Sequence, residues 1–555
     1  MKIKIPGKPD ITLSRNDYLA QGGEGSIYTK GSKAFKIYQD STKVIPLGKI
    51  QELAEIKNPN VIKPQELVFG NSRKPVGYAM QFIKNTTALC QLFTKAFKTR
   101  NGIDSQIILN LVKSMHDTII DVHDSGVLIV DLNELNFLVD KSFTDIYFID
   151  VDSYQTKSYR APVIMPSIQD PHARIFNQNT DWYSFAIVTF QLFIGIHPFK
   201  GKYKNKMSLR ERMTNNISVF NSEVTVPKVC FSFDSIPRGY LNWYKDVFEK
   251  GLRLPPPEDM HLSAPIVYAV KRILGDQSLV IDLVKEYKNA IQRVYSDNLS
   301  IVCQTTENVV GTLLYRKYKG GVLGTTPRHN QTTEFYEESG SLVALNHVTQ
   351  KEVYREPMNI SGLMSYNNRI YIKNGPNVLR ASFLELPDKT VVTTKVAARV
   401  LENSSIMYDG VVIQDVLGTY YASVFPELES HYQLKLEELA GYKVVNARFD
   451  HRLLGVVAVK DGVYSKFLFM FRDNFTKRNL RIKEDITVHD LNFVCLDNGV
   501  CVHVNDSEKL ELFHINSPDI KEISSDSVSS ETALYKNGLD VLLTQDRFLY
   551  KIKTK

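Results

Sequence analysis

The stretch GVLIVDLNELNFLVD, running from Gly126 to Asp140, decides how this chain is read. Leu128, Ile129 and Val130 lead into Asp131, and Phe137, Leu138 and Val139 return to an apolar pattern. Between them stand Asn133, Glu134 and Asn136. Asp and Asn favour turns and cap nearby amides, so a tight turn is the simplest reading. The alternative is that Asp131 and Asn136 hold a reaction.

Three further stretches bear on that choice. In LAQGGEGSIY, Gly22, Gly23 and Gly25 precede the strand-like Ser26-Ile27-Tyr28. Glycines let a hairpin backbone approach a polyphosphate closely, because no Cβ intervenes. In KAFKIY, a strand puts Phe35 and Ile37 on the face opposite Lys36, so Lys36 can point under that hairpin. IYFIDVDSYQ ends an apolar strand with Asp150 and Asp152. Singly these are a Gly-rich turn, an edge lysine and strand-end caps. Together they offer a lysine for phosphate, oxygen donors for a hard cation such as Mg²⁺, and a carboxylate to take the proton of a hydroxyl nucleophile.

In this combination the chain resembles the protein kinase superfamily, over roughly residues 12–290. Gly22 and Gly25 match its Gly-rich loop, with Ala20 at the first glycine and Ile27 at the usual valine. Lys36 matches the lysine that contacts the α/β-phosphates, and Asp131 the catalytic-loop aspartate. Asn136, five residues on, and Asp150, which opens the family's DFG motif as Asp150-Val151-Asp152, match the two Mg²⁺ ligands. GYAMQFI looks like the last small-lobe strand and hinge, with Met80, Gln81 and Phe82 beside adenine. Asp181 opens an apolar helix like the one whose acid supports the catalytic loop, and FEKGLRLPP, around Arg253, resembles the closing part of the large lobe. In IQELAEIKNPN, Glu52 is favoured over Glu55 as the helix acid that pairs with Lys36.

The departures are specific. Ile129-Val130 replaces the His-Arg before the catalytic aspartate, which implies regulation without an activation-loop phosphate. Asn133 replaces the lysine two residues beyond Asp131, Asp152 the DFG glycine, and Val163 the glutamate after Ala161-Pro162. The resemblance implies a serine/threonine protein kinase using ATP and Mg²⁺. An inactive ATP-binding scaffold and a small-molecule phosphotransferase are the competing readings.

The rest of the chain sets the frame. Its 555 residues suit more than one domain, and 43% hydrophobic with 23% charged residues is an ordinary globular composition. A formal charge of +7 does not demand nucleic acid. Five scattered cysteines fit a reducing compartment, and MKIKIPGKPD is not a signal peptide. No apolar run reaches membrane-spanning length, so the cytoplasm is the expected location.

After about residue 300 nearly everything reads as short strands, such as RIYIKNG and RFLYKIK, separated by hairpin turns. The expectation is therefore a multidomain chain. An α+β bilobal kinase-like domain covers 1–294, with a small lobe over about 12–83 and a large lobe over about 84–294. An all-β domain follows over 300–555, a β-propeller of about five or six blades or else a pair of β-sandwiches. KRILGDQSLVIDLVKEYKNAIQRVY, between them, reads as a helix-like connector. The β domain's expected role is to bind a protein substrate or assembly partner. Its histidines have no metal-ligand spacing, and Cys495 and Cys501 read as a packed cross-strand pair rather than a zinc site.

Overall fold

A computed structural model describes residues 1–554 except 72–73, 162–163, 259–278, 297–300, 312–313, 317, 319, 388, 427–430, 473, 518 and 530. The chain is multidomain and mostly β, with two compact units, one built mainly from residues 1–267 and the other mainly from 268–555. Among the described residues no helix is long and apolar enough to cross a membrane.

The first unit opens with a five-stranded antiparallel sheet. Its strands are β1 (Tyr18–Gln21), β2 (Gly25–Lys30), β3 (Lys33–Tyr38), β4 (Glu66–Phe69) and β5 (Pro75–Gln81), in the order β1-β2-β3-β5-β4. Alternation along β3 divides the core as a strand must. Phe35 and Ile37 pack with Ile3, Leu13 and Val68, whereas Ala34 and Tyr38 pack with Ile50, Ile62 and Tyr78. Lys36 therefore shares the second face. Gly77 in β5 is obligatory for this pairing, since a Cβ there would lie 1.9 Å from the Lys36 carbonyl oxygen. Helix α1 (Leu47–Leu53) follows β3.

Beyond the sheet the unit becomes helical. Helix α2 (Ser105–Asp124) starts at Asp104, whose carboxylate accepts the Ile107 amide at 2.9 Å, an N-cap. Strands β6 (Thr86–Ala88), β7 (Phe137–Asp140) and β8 (Ile146–Phe148) form a small antiparallel sheet in the order β8-β7-β6. Helix α3 (Gln178–Ile194) is capped by Asn177 and stops at Gly195, which is left-handed at φ 86°. From Thr180 to Ile194 every residue of α3 is buried, so this helix is the centre of the unit. Helix α4 (Arg238–Phe248) packs on it through Trp243 against Phe185 and Tyr244 against Phe190.

Arg253 forms a two-pronged ion pair with buried Asp170, at 2.5 and 2.7 Å. Ala161 is followed by Pro162 and Val163, which lie outside the described residues.

His197 is buried, with Nε2 donating to the Ser167 carbonyl at 2.9 Å and Nδ1 accepting the Phe199 amide at 3.2 Å. Both nitrogens are committed to the neutral ring, and burial lowers its pKa to about 3. The folded value lies below the ordinary 6.5, so protons bind the unfolded chain preferentially. The stabilisation is complete above pH 6.5 and is lost as pH falls towards 3. Wild type is expected to lose about 2 kcal/mol more than His197→Gln between pH 7 and pH 5. Urea unfolding at the two pH values measures the difference, and equal losses would contradict the linkage.

The second unit is a series of antiparallel sheets. Among the described residues, six four-stranded sheets span 291–316, 322–357, 360–399, 405–436, 443–483 and 493–523, each with its strands in chain order. A seventh joins Leu279–Glu286 to Phe548–Thr554, Asp540–Gln545 and Ala533–Asn537. Ile281 pairs with Ile552 and Val280 with Lys553 in its register. Two expectations are corrected here. Leu279–Glu286 and Ile291–Ser296, read from sequence as part of a helix-like connector, are strands, and the β region begins near 279 rather than 300. Among the described residues of this unit there are seven four-stranded sheets, and the expected propeller was of about five or six blades. Residues 271–278 of that connector lie outside the described residues. Cys495 and Cys501 are buried opposite one another on paired strands, which fits packing.

Candidate active site

The register of β7 and β8 brings together parts of the chain that sequence separates. Phe137 pairs with Phe148, and one step outward the Ile149 amide donates to the Asn136 carbonyl at 2.9 Å. Asp150 follows at once, in the left-handed region at φ 60°, which turns the chain into a short 3-10 turn at Val151–Ser153. Asp tolerates this conformation better than most residues. The Asn136 side-chain amide donates to the Asp131 carbonyl at 2.9 Å and lies 3.4 Å from its Oδ2. Asp131 Oδ1 accepts the Met165 amide at 2.8 Å. Burial pushes the Asp131 carboxyl upward, against hydrogen bonds from Met165, Asn133 and Asn136 that favour ionisation.

Asp181, expected to support this loop, does so directly. It is wholly buried at the start of α3, and its Oδ2 accepts the Ile129 amide while Oδ1 accepts the Val130 amide, both at 2.9 Å. His123 Nε2, from the end of α2, lies 2.9 Å from Oδ2 and is the third partner. Val130 has φ 65°, a costly conformation for a β-branched residue. Asp181 therefore holds a strained backbone immediately before Asp131. Asn133 is buried, and its Oδ1 accepts the Leu135 amide, so it shapes the loop.

Lys36 is 6% exposed and reaches two acids, Asp150 Oδ1 at 2.6 Å and Asp152 Oδ2 at 2.7 Å. Burial opposes its charge, but the two carboxylates outweigh that and hold its pKa well above the usual lysine range. Asp152 is also buried, and its tendency to protonate on burial is overcome by Lys36 and by the hydroxyls of Tyr38 and Tyr78. Asp150 moves upward through desolvation first and the neighbouring Asp152 charge second. Its side chain keeps 41% exposure, so it remains open to solvent while Asp152 is not.

The expected pairing of Glu52 with Lys36 is corrected. Glu52 Oε2 accepts the Ser158 amide at 3.1 Å, and Glu55 lies 3.8 Å from exposed Lys57. The inward polar residue of α1 is instead Lys49, 4% exposed, whose Nζ donates to the Asp152 carbonyl at 2.6 Å. A seven-residue helix has few positions facing the sheet, and Lys49, Ile50 and Leu53 take them.

The glycine hairpin closes through the Gly22 amide, which donates to the Gly25 carbonyl at 2.8 Å. A Cβ on Gly25 would lie 2.4 Å from the Ile37 carbonyl oxygen, whereas Gly23 has open space around it. Ile27 stands opposite Lys36 in the β2–β3 register. Met80 is buried opposite Ala34, Gln81 ends β5, and the Phe82 amide donates to the Ser32 carbonyl at 3.0 Å.

Asp150 and Asn136 fit a small hard cation by the chemistry of their donors, a partly open carboxylate and an amide oxygen, since Mg²⁺ retains several waters. The residues missed in sequence are Tyr38, Tyr78, Lys49, His123 and Met165. Tyr38 alone had a usable signal, because two residues beyond Lys36 in a strand is the same face.

A curated protein of Dictyostelium discoideum, described as a probable serine/threonine-protein kinase, is 24% identical over 159 residues. The relationship is kinase-like. The match takes in 27% of this chain and 12% of the relative's length. No family model matches the chain.

Proposed function

We propose that the first unit is a bilobal protein kinase domain that transfers the γ-phosphoryl group of ATP to a serine or threonine hydroxyl of a protein. The observation that carries this is the convergence of Lys36 with Asp150, beside a loop in which Asn136 braces Asp131 and Asp181 braces the residues before it. The partial likeness to a probable kinase supports it. Gly22, Gly23 and Gly25 would cover the phosphates, with Lys36 on the α/β-phosphates and Ile27, Met80, Gln81 and Phe82 around adenine. Asn136 and Asp150 would hold Mg²⁺, whose charge would offset that of the β- and γ-phosphates.

Asp131 then has one task. Its Oδ1 is taken by Met165, so Oδ2 is the oxygen that accepts the proton of the acceptor hydroxyl. The hydroxyl oxygen bonds to the γ-phosphorus as the bond to the ADP oxygen breaks. Positioning and charge neutralisation supply most of the rate, without a covalent enzyme intermediate.

The test is incubation of the full chain with γ-labelled ATP, Mg²⁺ and a dephosphorylated generic protein acceptor. Label on serine or threonine, absent with EDTA, is the expected result. Nucleotide binding with no transfer would establish an ATP-binding scaffold instead, and label only on a small molecule the third reading.

For the second unit the proposal is a β-propeller of seven blades that engages a protein substrate or assembly partner. Among the described residues, six four-stranded sheets in succession and a seventh combining strands from both ends of the region support it. An experimental structure without a common axis for the seven sheets would refute the architecture. Crosslinking of the full chain that captured no partner through residues 300–555 would count against recruitment.

A further inference from the structure

We propose that Asp152, fixed by Tyr38 and Tyr78, is the carboxylate that positions Lys36 for phosphate, and that α1 supplies no acid for this task. The inference rests on the phosphotransfer reading above. Tyr78 lies directly opposite Lys36 in the β3–β5 register, and Tyr38 is two residues along on the same face. The sheet thus aims an amine and two hydroxyls at one point. Asp152 meets all three: Oδ2 accepts from Lys36 and the Tyr38 hydroxyl, and Oδ1 from the Tyr78 hydroxyl at 2.7 Å. Its backbone carbonyl is taken by Lys49 at 2.6 Å. Every oxygen of the residue is engaged, and a buried carboxylate so held has no freedom to leave.

The two acids on Lys36 differ in a way that suits a division of work. Asp150 is open at its outer edge, and turning it towards a cation would release Lys36 from one partner. Asp152, with a side chain only 3% exposed, keeps the other. A lysine at the inward-facing position of α1 is the wrong charge to pair with Lys36, and Glu52 is committed to Ser158. The ion pair is therefore assembled from the sheet and the turn after β8, and movement of α1 is not needed to form it.

The test uses the full chain with Lys36→Met, Asp152→Asn and Glu52→Gln, singly and in pairs. Thermal melting is read first, because it requires no nucleotide. The shifts from Lys36→Met and Asp152→Asn should be non-additive, whereas those from Lys36→Met and Glu52→Gln should add. In phosphotransfer, Asp152→Asn should lower kcat by about 100-fold with the KM for the acceptor unchanged, as expected when a buried pair loses one member. Glu52→Gln should stay within about twofold of wild type. If Asp152→Asn does not fold, Tyr78→Phe, which removes one hydroxyl from the acid, should lower kcat several-fold by the same route.

Additive melting shifts for positions 36 and 152, or a Glu52→Gln loss as large as that of Asp152→Asn, overturn the proposal. Coupled shifts in a chain that transfers no phosphate overturn the phosphotransfer reading and support the Lys36–Asp152 assignment.

Discussion

Asp131→Asn is expected to lower kcat for phosphotransfer by about 10²–10⁴-fold, the usual contribution of a positioned general base. The amide is nearly the same size, and its carbonyl oxygen can still accept the Met165 amide that Asp131 Oδ1 accepts. What it cannot do is take a proton at the other position. Lys36 and Asp150 are untouched and Asn136 keeps its bond to the backbone carbonyl of residue 131, so nucleotide affinity should hold while transfer fails. Burial already disfavours the Asp131 charge, and its removal should leave the melting temperature unchanged or slightly raised. Single-turnover transfer and a melting curve on the same preparation separate the two effects. Transfer by Asp131→Asn at the wild-type rate would remove Asp131 from the mechanism.

Asp181→Ala should have the largest effect on stability, about 3–5 kcal/mol. The side chain is wholly buried and serves the Ile129 and Val130 amides together with His123. Truncation leaves these groups without their partner in a region that water does not reach, and it frees Val130 from the left-handed conformation that Asp181 braces. Asp181→Asn keeps one acceptor oxygen and should fall between wild type and the alanine variant. Urea unfolding gives the ordering directly. A loss below about 1 kcal/mol for Asp181→Ala would mean that the loop before Asp131 is held by something else. Because that loop carries Asp131, the alanine variant should also lose transfer under conditions where it remains folded.

The legible part of the site was what local spacing could carry. Alternation in KAFKIY placed Lys36 away from Phe35 and Ile37, and the five-residue interval from Asp131 to Asn136 fits a loop in which one braces the other. Asp181 was legible because it stands at the start of an apolar helix, and the structure sets it on the loop. Glu52 shows where this reasoning fails. A helix offering two acids suggests a partner for a buried lysine, but which side of so short a helix faces inward is decided by packing against the sheet. Ile50 and Leu53 settle that orientation, and with them Lys49 turns in.

The segment Leu279–Glu286 failed for a different reason. LVIDLVKEYK has apolar residues at spacings that suit a helix as well as a strand, and its partner Phe548–Thr554 stands more than two hundred residues away. Pairing at that distance overrides local preference and leaves no mark on neighbouring sequence.

That distant pairing has a consequence for how the molecule is made. On a ribosome, Leu279–Glu286 emerges long before Phe548–Thr554 exists, so its sheet cannot be completed during most of the synthesis of the β region. Six sheets of consecutive strands can form as they appear, while the seventh waits with an unsatisfied edge. Closing so long a loop is entropically costly and slow, which makes it a late event in folding. Until Phe548–Thr554 has been made, Leu279–Glu286 presents an open strand edge, so completion of the seventh sheet depends on a segment far along the chain.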